Sequence, residues 1–226
     1  HKTAPIEVRE QMAFPEGLLP DALRSAAALP GVREVLILST CNRVEILARA
    51  EDPQSDLIPA LTQFLAEFHE LSVQRIAPYL YQHQQRDAIR HVFRVASSLD
   101  SMIIGETQIL GQVKEAYALA RSTGTLRGPL EEALTRAFFV AKRVRTETGI
   151  ASSAVSVSYA AVELARKIFG SLDGKRILLV GAGKMSELAA RHLVGHGGAQ
   201  IFVTNRTAER AEEMADPLAD PARRIG

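Results

Sequence analysis

With 226 residues, the chain is long enough for one large domain or two ordinary ones. It is 46% hydrophobic with only 5% aromatics and no Trp, which fits a globular protein with a mostly aliphatic core. Its 27 basic and 26 acidic residues leave a net charge of +1, which excludes a global electrostatic footprint for nucleic acid but not a local basic face.

No apolar run approaches the roughly 20 residues of a membrane span. The opening His1-Lys2-Thr3-Ala4-Pro5 lacks the apolar core of a signal peptide. The single cysteine, Cys41, cannot form an intrachain disulfide, so a reducing compartment is expected. These features predict a cytoplasmic protein with no membrane partner. The chain does not begin with Met, so residues are expected before His1.

In chain order, Leu18 to Leu29 reads as a helix closed by Pro30-Gly31. Val35 to Leu38 and Val44 to Leu47 are short β-branched runs, predicted to be strands joined by a tight turn carrying Ser39 to Arg43. Asp52-Pro53 has the form of an N-cap with a first-turn proline. It precedes helically spaced Leu57, Ile58, Leu61, Phe64, Leu65 and Phe68. Asp87 to Leu99 is an amphipathic helix with Ala88, Val92, Val95, Ala96 and Leu99 on its core side. After a break at 101–105, a helix runs from about Thr107 to Arg121 and ends near Gly124. Gly128-Pro129 opens a long helix with Leu130, Leu134, Ala137, Phe138, Ala141 and Val144 inward and Gly149 as its cap.

The composition then becomes small and Ser/Ala-rich, and a domain boundary is expected near 150–155, with Ala151 to Ser156 as a hinge. A helix to about Gly170 precedes a unit of another kind. It comprises a buried strand Ile177–Val180, a glycine turn, a helix to about His196 and a second strand Gln200–Thr204. The reading is thus α+β for residues 1–150 and α/β, of Rossmann type, for 151–226.

The turn Gly181-Ala182-Gly183-Lys184-Met185-Ser186 follows a strand and opens a helix, the context that gives a Gly-x-Gly signal meaning. Gly181 permits the tight turn. Gly183 lets backbone approach a pyrophosphate at a helix N-terminus. Ser186 replaces the usual third glycine. Where an NAD site offers a carboxylate to the ribose, this chain has Asn205, Arg206 and Thr207. A guanidinium suits a 2′-phosphate, so NADPH is predicted over NADH; otherwise Arg206 is a solvated surface charge. No metal site is read from the sequence.

Cys41 stands among Thr40, Asn42 and Arg43 in the predicted turn. A lone cysteine is commonly a small buried hydrophobe. Here a turn can present it, and Arg43 can stabilise a thiolate. A thiolate beside a nicotinamide suggests attack on an activated acyl group, followed by hydride reduction of the thioester to an aldehyde. His91 lies beside the apolar stripe of its helix, as a satisfied histidine, a general base or a polar orienter of the thiol. Gln108 and Gln112 share one helix face, and Glu106 stands at that helix's start, where the dipole favours a carboxylate.

These strings together closely resemble glutamyl-tRNA reductases. The match is carried by His1-Lys2-Thr3-Ala4-Pro5, by Ser39-Thr40-Cys41-Asn42-Arg43 and by Ser101 through Gln112 with Val113-Lys114. It continues in Ala141 through Thr148 and in Gly181-Ala182-Gly183 followed by Asn205-Arg206-Thr207. The resemblance implies an N-terminal catalytic domain, a long connecting helix and a truncated NADPH-binding Rossmann-type domain. It implies Cys41 as nucleophile with His91 affecting activity. Thr40, Asn42, Arg43, Ser101, Glu106, Thr107, Gln108 and Gln112 would bind the glutamyl ester, and Gly181 through Ser186 with Asn205, Arg206 and Thr207 would bind NADPH. Glutamyl-tRNA(Glu) would be reduced to glutamate-1-semialdehyde, the first step of tetrapyrrole synthesis. Glutamate-1-semialdehyde aminomutase would be a protein partner; the homodimer of the full-length family is not expected of this truncated chain. The family's first strand and C-terminal dimerisation domain have no counterpart here, so a truncated chain is expected. Two other readings stand beside this one. One is a shikimate-dehydrogenase-like reductase. The other is an NADPH-sensing or tRNA-binding module using Lys142, Arg143 and Arg145.

Overall fold

The structure, a computed structural model, describes residues 4–40, 42–101, 103–150, 157–195 and 200–219. Cys41, the expected hinge at 151–156 and the ends of the chain lie outside the described residues. The chain divides into two units, residues 1–152 and 153–226.

The first unit runs α1 (Ile6–Gln11), α2 (Leu19–Ala27), β1 (Val32–Ser39), β2 (Val44–Ala50), α3 (Ile58–Phe68), α4 (Val73–Ile76), α5 (Gln85–Ala96), α6 (Gln108–Ser122) and α7 (Pro129–Glu147). β1 and β2 form an antiparallel hairpin in which Leu36 faces Leu47 and Ser39 faces Val44, with a register shift between Val32 and Glu34. Side chains alternate between the two faces of a strand. Val35, Leu36, Ile37 and Leu38 are nevertheless all buried, so both faces of β1 are covered; α2 and α6 are among the elements packed on it. Leu23, Ile37, Ile76, Leu126 and Leu134 lie at the centre of this core. A satellite cluster packs Ala96 and Phe93 of α5 against Ala137 and Ala141 of α7 and Leu110 of α6.

β1 also carries a polar device. The Glu34 side chain is only 2% exposed and accepts the Arg127 and Leu130 backbone N–H groups, each at 3.1 Å, while pairing with Arg49 Nε at 2.5 Å. A strand carboxylate therefore satisfies amides at the start of α7, where the helix dipole favours negative charge.

Three expectations for this unit are corrected. Asp52-Pro53 does not open a helix: Asp52 accepts from Gln54 N–H in a turn, and α3 starts at Ile58, whose N–H bonds to Asp56 Oδ1 at 3.0 Å. Leu99 is exposed, because α5 ends at Ala96 and Ser98, at φ +59°, turns the chain out of helical phase. Gly149 does not cap α7, because Thr148 leaves the helix extended at φ −129° and ψ 161°.

The second unit runs α8 (Val157–Phe169), β3 (Arg176–Val180), α9 (Lys184–Gly195), β4 (Gln200–Thr204) and α10 (Ala208–Ala219). β3 and β4 are parallel, with Ile177 opposite Ile201, and α9 lies between them in sequence. Val162, Leu172 and Leu193 pack with Ile177, Leu179 and Ile201. The expected buried strand is half right. Leu178, Phe202 and Val180, the last 79% exposed, lie on a face that the described residues leave open, so β3 alternates with period two. Among the described residues no helix is long and apolar enough to cross a membrane.

Candidate active site

The β1–β2 turn is closed by a hydroxyl. Thr40 N–H donates to the Arg43 carbonyl at 2.9 Å. Thr40 Oγ1 accepts the Asn42 and Arg43 N–H groups at 3.2 and 3.0 Å. Such short side-chain-to-backbone bonds replace ladder bonds where a strand must stop. Asn42 accepts from Arg9 of α1 through Oδ1.

Arg43 points inward and is 4% exposed. Its Nη1 donates to Glu45 Oε1 at 2.9 Å and its Nη2 to the Asp100 carbonyl. Glu45 is the hub of the cluster. It lies two residues beyond Arg43, on the same side of a strand of period two. It also accepts from Tyr81 Oη and lies 3.1 Å from His91 Nε2. His91 Nδ1 lies 3.5 Å from Asp100 Oδ2. The rings of Tyr81 and His83 stand 5.5 and 4.7 Å from that of His91. His91 is thus gripped by a carboxylate on each nitrogen, the arrangement of an orienting group. A carboxylate can only accept, so the nitrogen facing Glu45 presents a proton to it.

Burial pushes the Glu45 carboxyl up. The hydrogen bond and charge of His91, the Tyr81 hydrogen bond and the Arg43 charge outweigh it, so the group sits below its ordinary range. Burial, then the Glu45 charge and hydrogen bond, push the Tyr81 phenol well above its ordinary value. Asn42, Arg43, Glu45, Tyr81, His83 and His91 line a cavity of about 730 Å³ between the hairpin and α5.

The loop from 97 to 107 meets this cluster at Asp100. It is fastened by Arg145 of α7, whose Nη2 donates to Ser98 Oγ at 3.0 Å and to the Glu106 carbonyl at 2.6 Å. Gly105, at φ +86°, donates its N–H to the Ser98 carbonyl, and a Cβ on it would lie 2.5 Å from the Ile150 carbonyl oxygen. Only glycine fits there. Ser101 Oγ is buried without a hydrogen-bond partner among the described residues. Glu106 does not start the helix as expected: α6 begins at Gln108, with exposed Thr107 as its N-cap, and the Glu106 carbonyl oxygen is what the loop uses. Gln108 and Gln112 are half-buried on α6. None of Ser101, Glu106, Thr107, Gln108 and Gln112 lines the cavity.

Of the sequence-selected residues, the structure therefore gathers Asn42, Arg43 and His91, with Thr40 shaping their turn. Glu45, Tyr81 and Asp100 were not foreseen. The one available signal was an acid at position 45, between Val44 and Ile46 in an apolar strand. Of the expected basic run on α7, Arg143 pairs with Glu147 at 2.7 Å and Arg145 turns inward, which leaves Lys142 as its exposed member without an ion pair among the described residues.

In the second unit, Gly181 takes φ +100° and donates its N–H to the Thr204 carbonyl at 2.7 Å. Asn205 Oδ1 accepts from Ala182 N–H at 3.3 Å, and its amide donates to the Thr207 carbonyl at 3.0 Å, so Asn205 braces the glycine turn from the end of β4. At Gly183 a Cβ would meet nothing within 4 Å, leaving an open approach ahead of Lys184, Met185 and Ser186 in the first turn of α9. Arg206 is exposed beside it in sequence.

Residues 1–148 match the family model for the glutamyl-tRNA(Glu) reductase N-terminal domain, and residues 163–224 match that for shikimate/quinate 5-dehydrogenase. The chain is 60% identical to a glutamyl-tRNA reductase of Solibacter usitatus over 95% of its length and 51% of that protein. It is 58% identical to one of Syntrophotalea carbinolica over 98% of its length and 50% of that protein. It thus spans about half the length of the curated relatives it matches. Among solved structures, the glutamyl-tRNA reductase from Methanopyrus kandleri matches 96% of this chain and 50% of its own, at 38% identity and a TM-score of 0.63. With a mixed helix-and-sheet N-terminal domain followed by a segment similar to the shikimate/quinate dehydrogenase model, the chain belongs to the glutamyl-tRNA reductase family.

Proposed function

We propose that this chain carries the catalytic domain and the nucleotide-binding turn of an NADPH-dependent reductase. The reductase acts on glutamyl-tRNA(Glu) and yields glutamate-1-semialdehyde for tetrapyrrole synthesis in the cytoplasm. The observation that carries the reading is the Arg43–Glu45–His91–Asp100 cluster. Its Arg43, Glu45 and His91 line a cavity that also borders Asn42, next in sequence to the chain's only cysteine. Membership of the family supports the substrate.

In this reading the Cys41 thiolate attacks the carbonyl carbon of the glutamyl ester. A C–S bond forms, the C–O bond to the terminal ribose breaks, and the ribose oxygen leaves as a hydroxyl after taking a proton. Arg43 and Asn42 border the reacting ester, and Thr40 sets the geometry of the turn through the Asn42 and Arg43 amides. His91, clamped by Glu45 and Asp100, is a fixed polar wall that positions the acyl group. Ser101, Glu106, Thr107, Gln108 and Gln112 recognise the glutamyl portion from the adjoining loop and helix.

The glycine turn suits a dinucleotide: the open space at Gly183 and the α9 amides would take a pyrophosphate, and none of Asn205, Arg206 and Thr207, which would hold the ribose, is a carboxylate. Gly181, Ala182, Gly183, Lys184, Met185 and Ser186 would hold the phosphates, and Arg206 the 2′-phosphate. When bound, NADPH supplies the hydride that converts the thioester to the aldehyde and frees the sulfur. Domains at 1–150 and 151–226 and transfer of the reactive aldehyde to glutamate-1-semialdehyde aminomutase complete the proposal.

The test is incubation with glutamyl-tRNA(Glu), with and without NADPH, read by mass spectrometry. A glutamyl adduct on Cys41 is expected without NADPH, and aldehyde with it. Aldehyde formed equally well by Cys41→Ser would overturn the thioester route and favour the shikimate-dehydrogenase-like alternative, which the match at residues 163–224 otherwise supports only for the second unit.

A further inference from the structure

The face of α5 opposite the site holds three arginines. Arg86, Arg90 and Arg94 recur every four residues, so they form one row along the helix, about 6 Å apart along its axis. All three are exposed, and none makes an ion pair or a side-chain hydrogen bond among the described residues. The only acid of α5, Asp87 in its first turn, pairs with none of them. Like charges one turn apart repel, so the row is electrostatically unfinished in the chain itself. It borders a groove of about 430 Å³ between α5 and α7, whose floor is apolar: Ile89, Phe93, Leu99, Val140 and Val144. Ile89 lines both this groove and the cavity that holds His91, so α5 is a wall common to the two.

We propose that the Arg86–Arg90–Arg94 row is the track along which the RNA strand of the aminoacylated substrate lies as its 3′ end enters the cavity. This rests on the glutamyl-tRNA reading above. The occupant follows from the chemistry. Guanidiniums are the side chains that fork onto phosphate oxygens. Their repeat along α5 is comparable to the spacing of successive phosphates on one strand. An aromatic and aliphatic floor beside a basic row accepts unstacked bases, as in single-strand binding sites. With a net charge of +1, the molecule has no general pull on nucleic acid, so such a row has to act locally. The row offers three unpaired cations where the α7 run 142–145 offers only Lys142, since Arg143 and Arg145 are already engaged.

The test compares the chain with its R86Q/R90Q/R94Q variant in binding uncharged tRNA(Glu) across a salt series. Each lost phosphate contact removes about 0.7 to 0.9 from the slope of log affinity against log salt, so the slope should fall by roughly two and affinity at 0.15 M salt by about ten- to fifty-fold. R86K/R90K/R94K should recover the slope. Thioester exchange at Cys41 with a small glutamyl thioester lacking RNA should be unchanged in both variants. Equal tRNA affinity and slope in R86Q/R90Q/R94Q would overturn the track while leaving the proposed function standing. So would a variant that keeps tRNA but loses an acidic protein partner, or one that loses turnover of the small thioester. Failure of the unaltered chain to bind tRNA(Glu) at any salt would sink both readings.

Discussion

Glu45 shows how one residue organises the site. A carboxylate in a strand flanked by Val44 and Ile46 is costly to bury unless its oxygens are used. Here Arg43, Tyr81 and His91 use them, and they come from positions 2, 36 and 46 residues away in the chain. Its ionisation is favoured in the folded state, so its folded value lies below the ordinary 4.5. Such a group contributes stability that is fully present above the unfolded value and is lost as pH falls through the folded one. Glu45→Gln should therefore destabilise the chain by about 2–4 kcal/mol at pH 7, leaving the Arg43 guanidinium buried beside a neutral partner. The gap between variant and parent should close below about pH 4.5, read from urea midpoints taken from pH 7 down to pH 3. A gap that stays constant over that range would show that folding does not shift the ionisation of Glu45.

At the scale of elements, the hairpin and α7 are joined by Glu34, whose partners Arg127 and Leu130 lie 93 and 96 residues further on. Glu34→Ala should leave two amides at the start of α7 without an acceptor and cost about 3 kcal/mol, measured by chemical denaturation. Glu34→Gln, which keeps an accepting oxygen, should cost less. A loss below about 0.5 kcal/mol for the alanine variant would show that water replaces the carboxylate freely. Such long-range devices explain what the sequence could and could not disclose. The hairpin was legible because two β-branched runs flank a polar turn, and the glycine turn because a strand precedes it and a helix follows. Asp52-Pro53 misled because Asx turns and helix N-caps share one local chemistry; the same signal recurs at Asp56 and Pro59, where α3 does start. The run Ile177–Val180 reads as buried on both faces, whereas the described residues cover only one. Cys41 and Arg43 stood out by rarity and spacing. Glu45, Tyr81 and Asp100 did not, because only folding brings their loops and strands to His91.

At the scale of the whole molecule, the two units have separate cores. Among the described residues, the main cluster draws on residues from Val8 to Phe138 and that of the second unit on residues from Val162 to Ile201, with no member in common. A ligand that binds only one folded unit stabilises that unit by mass action, and the other only to the extent that the two open together. The proposed nucleotide turn lies wholly in the second unit, on Gly181, Gly183 and the start of α9, braced by Asn205. NADPH at about 100 times its dissociation constant should therefore add roughly 2.7 kcal/mol to the opening free energy of β3, β4 and α9. Their slowest amides should then exchange about a hundredfold more slowly, while those of the β1–β2 hairpin and α6 keep their rates. Hydrogen exchange read by mass spectrometry at matched NADPH and NADH concentrations decides the matter. Equal protection by both nucleotides would remove the role given to Arg206. Protection rising by the same amount in β1 and β3 would show that the chain opens as one cooperative body, with its separate apolar clusters coupled rather than independent.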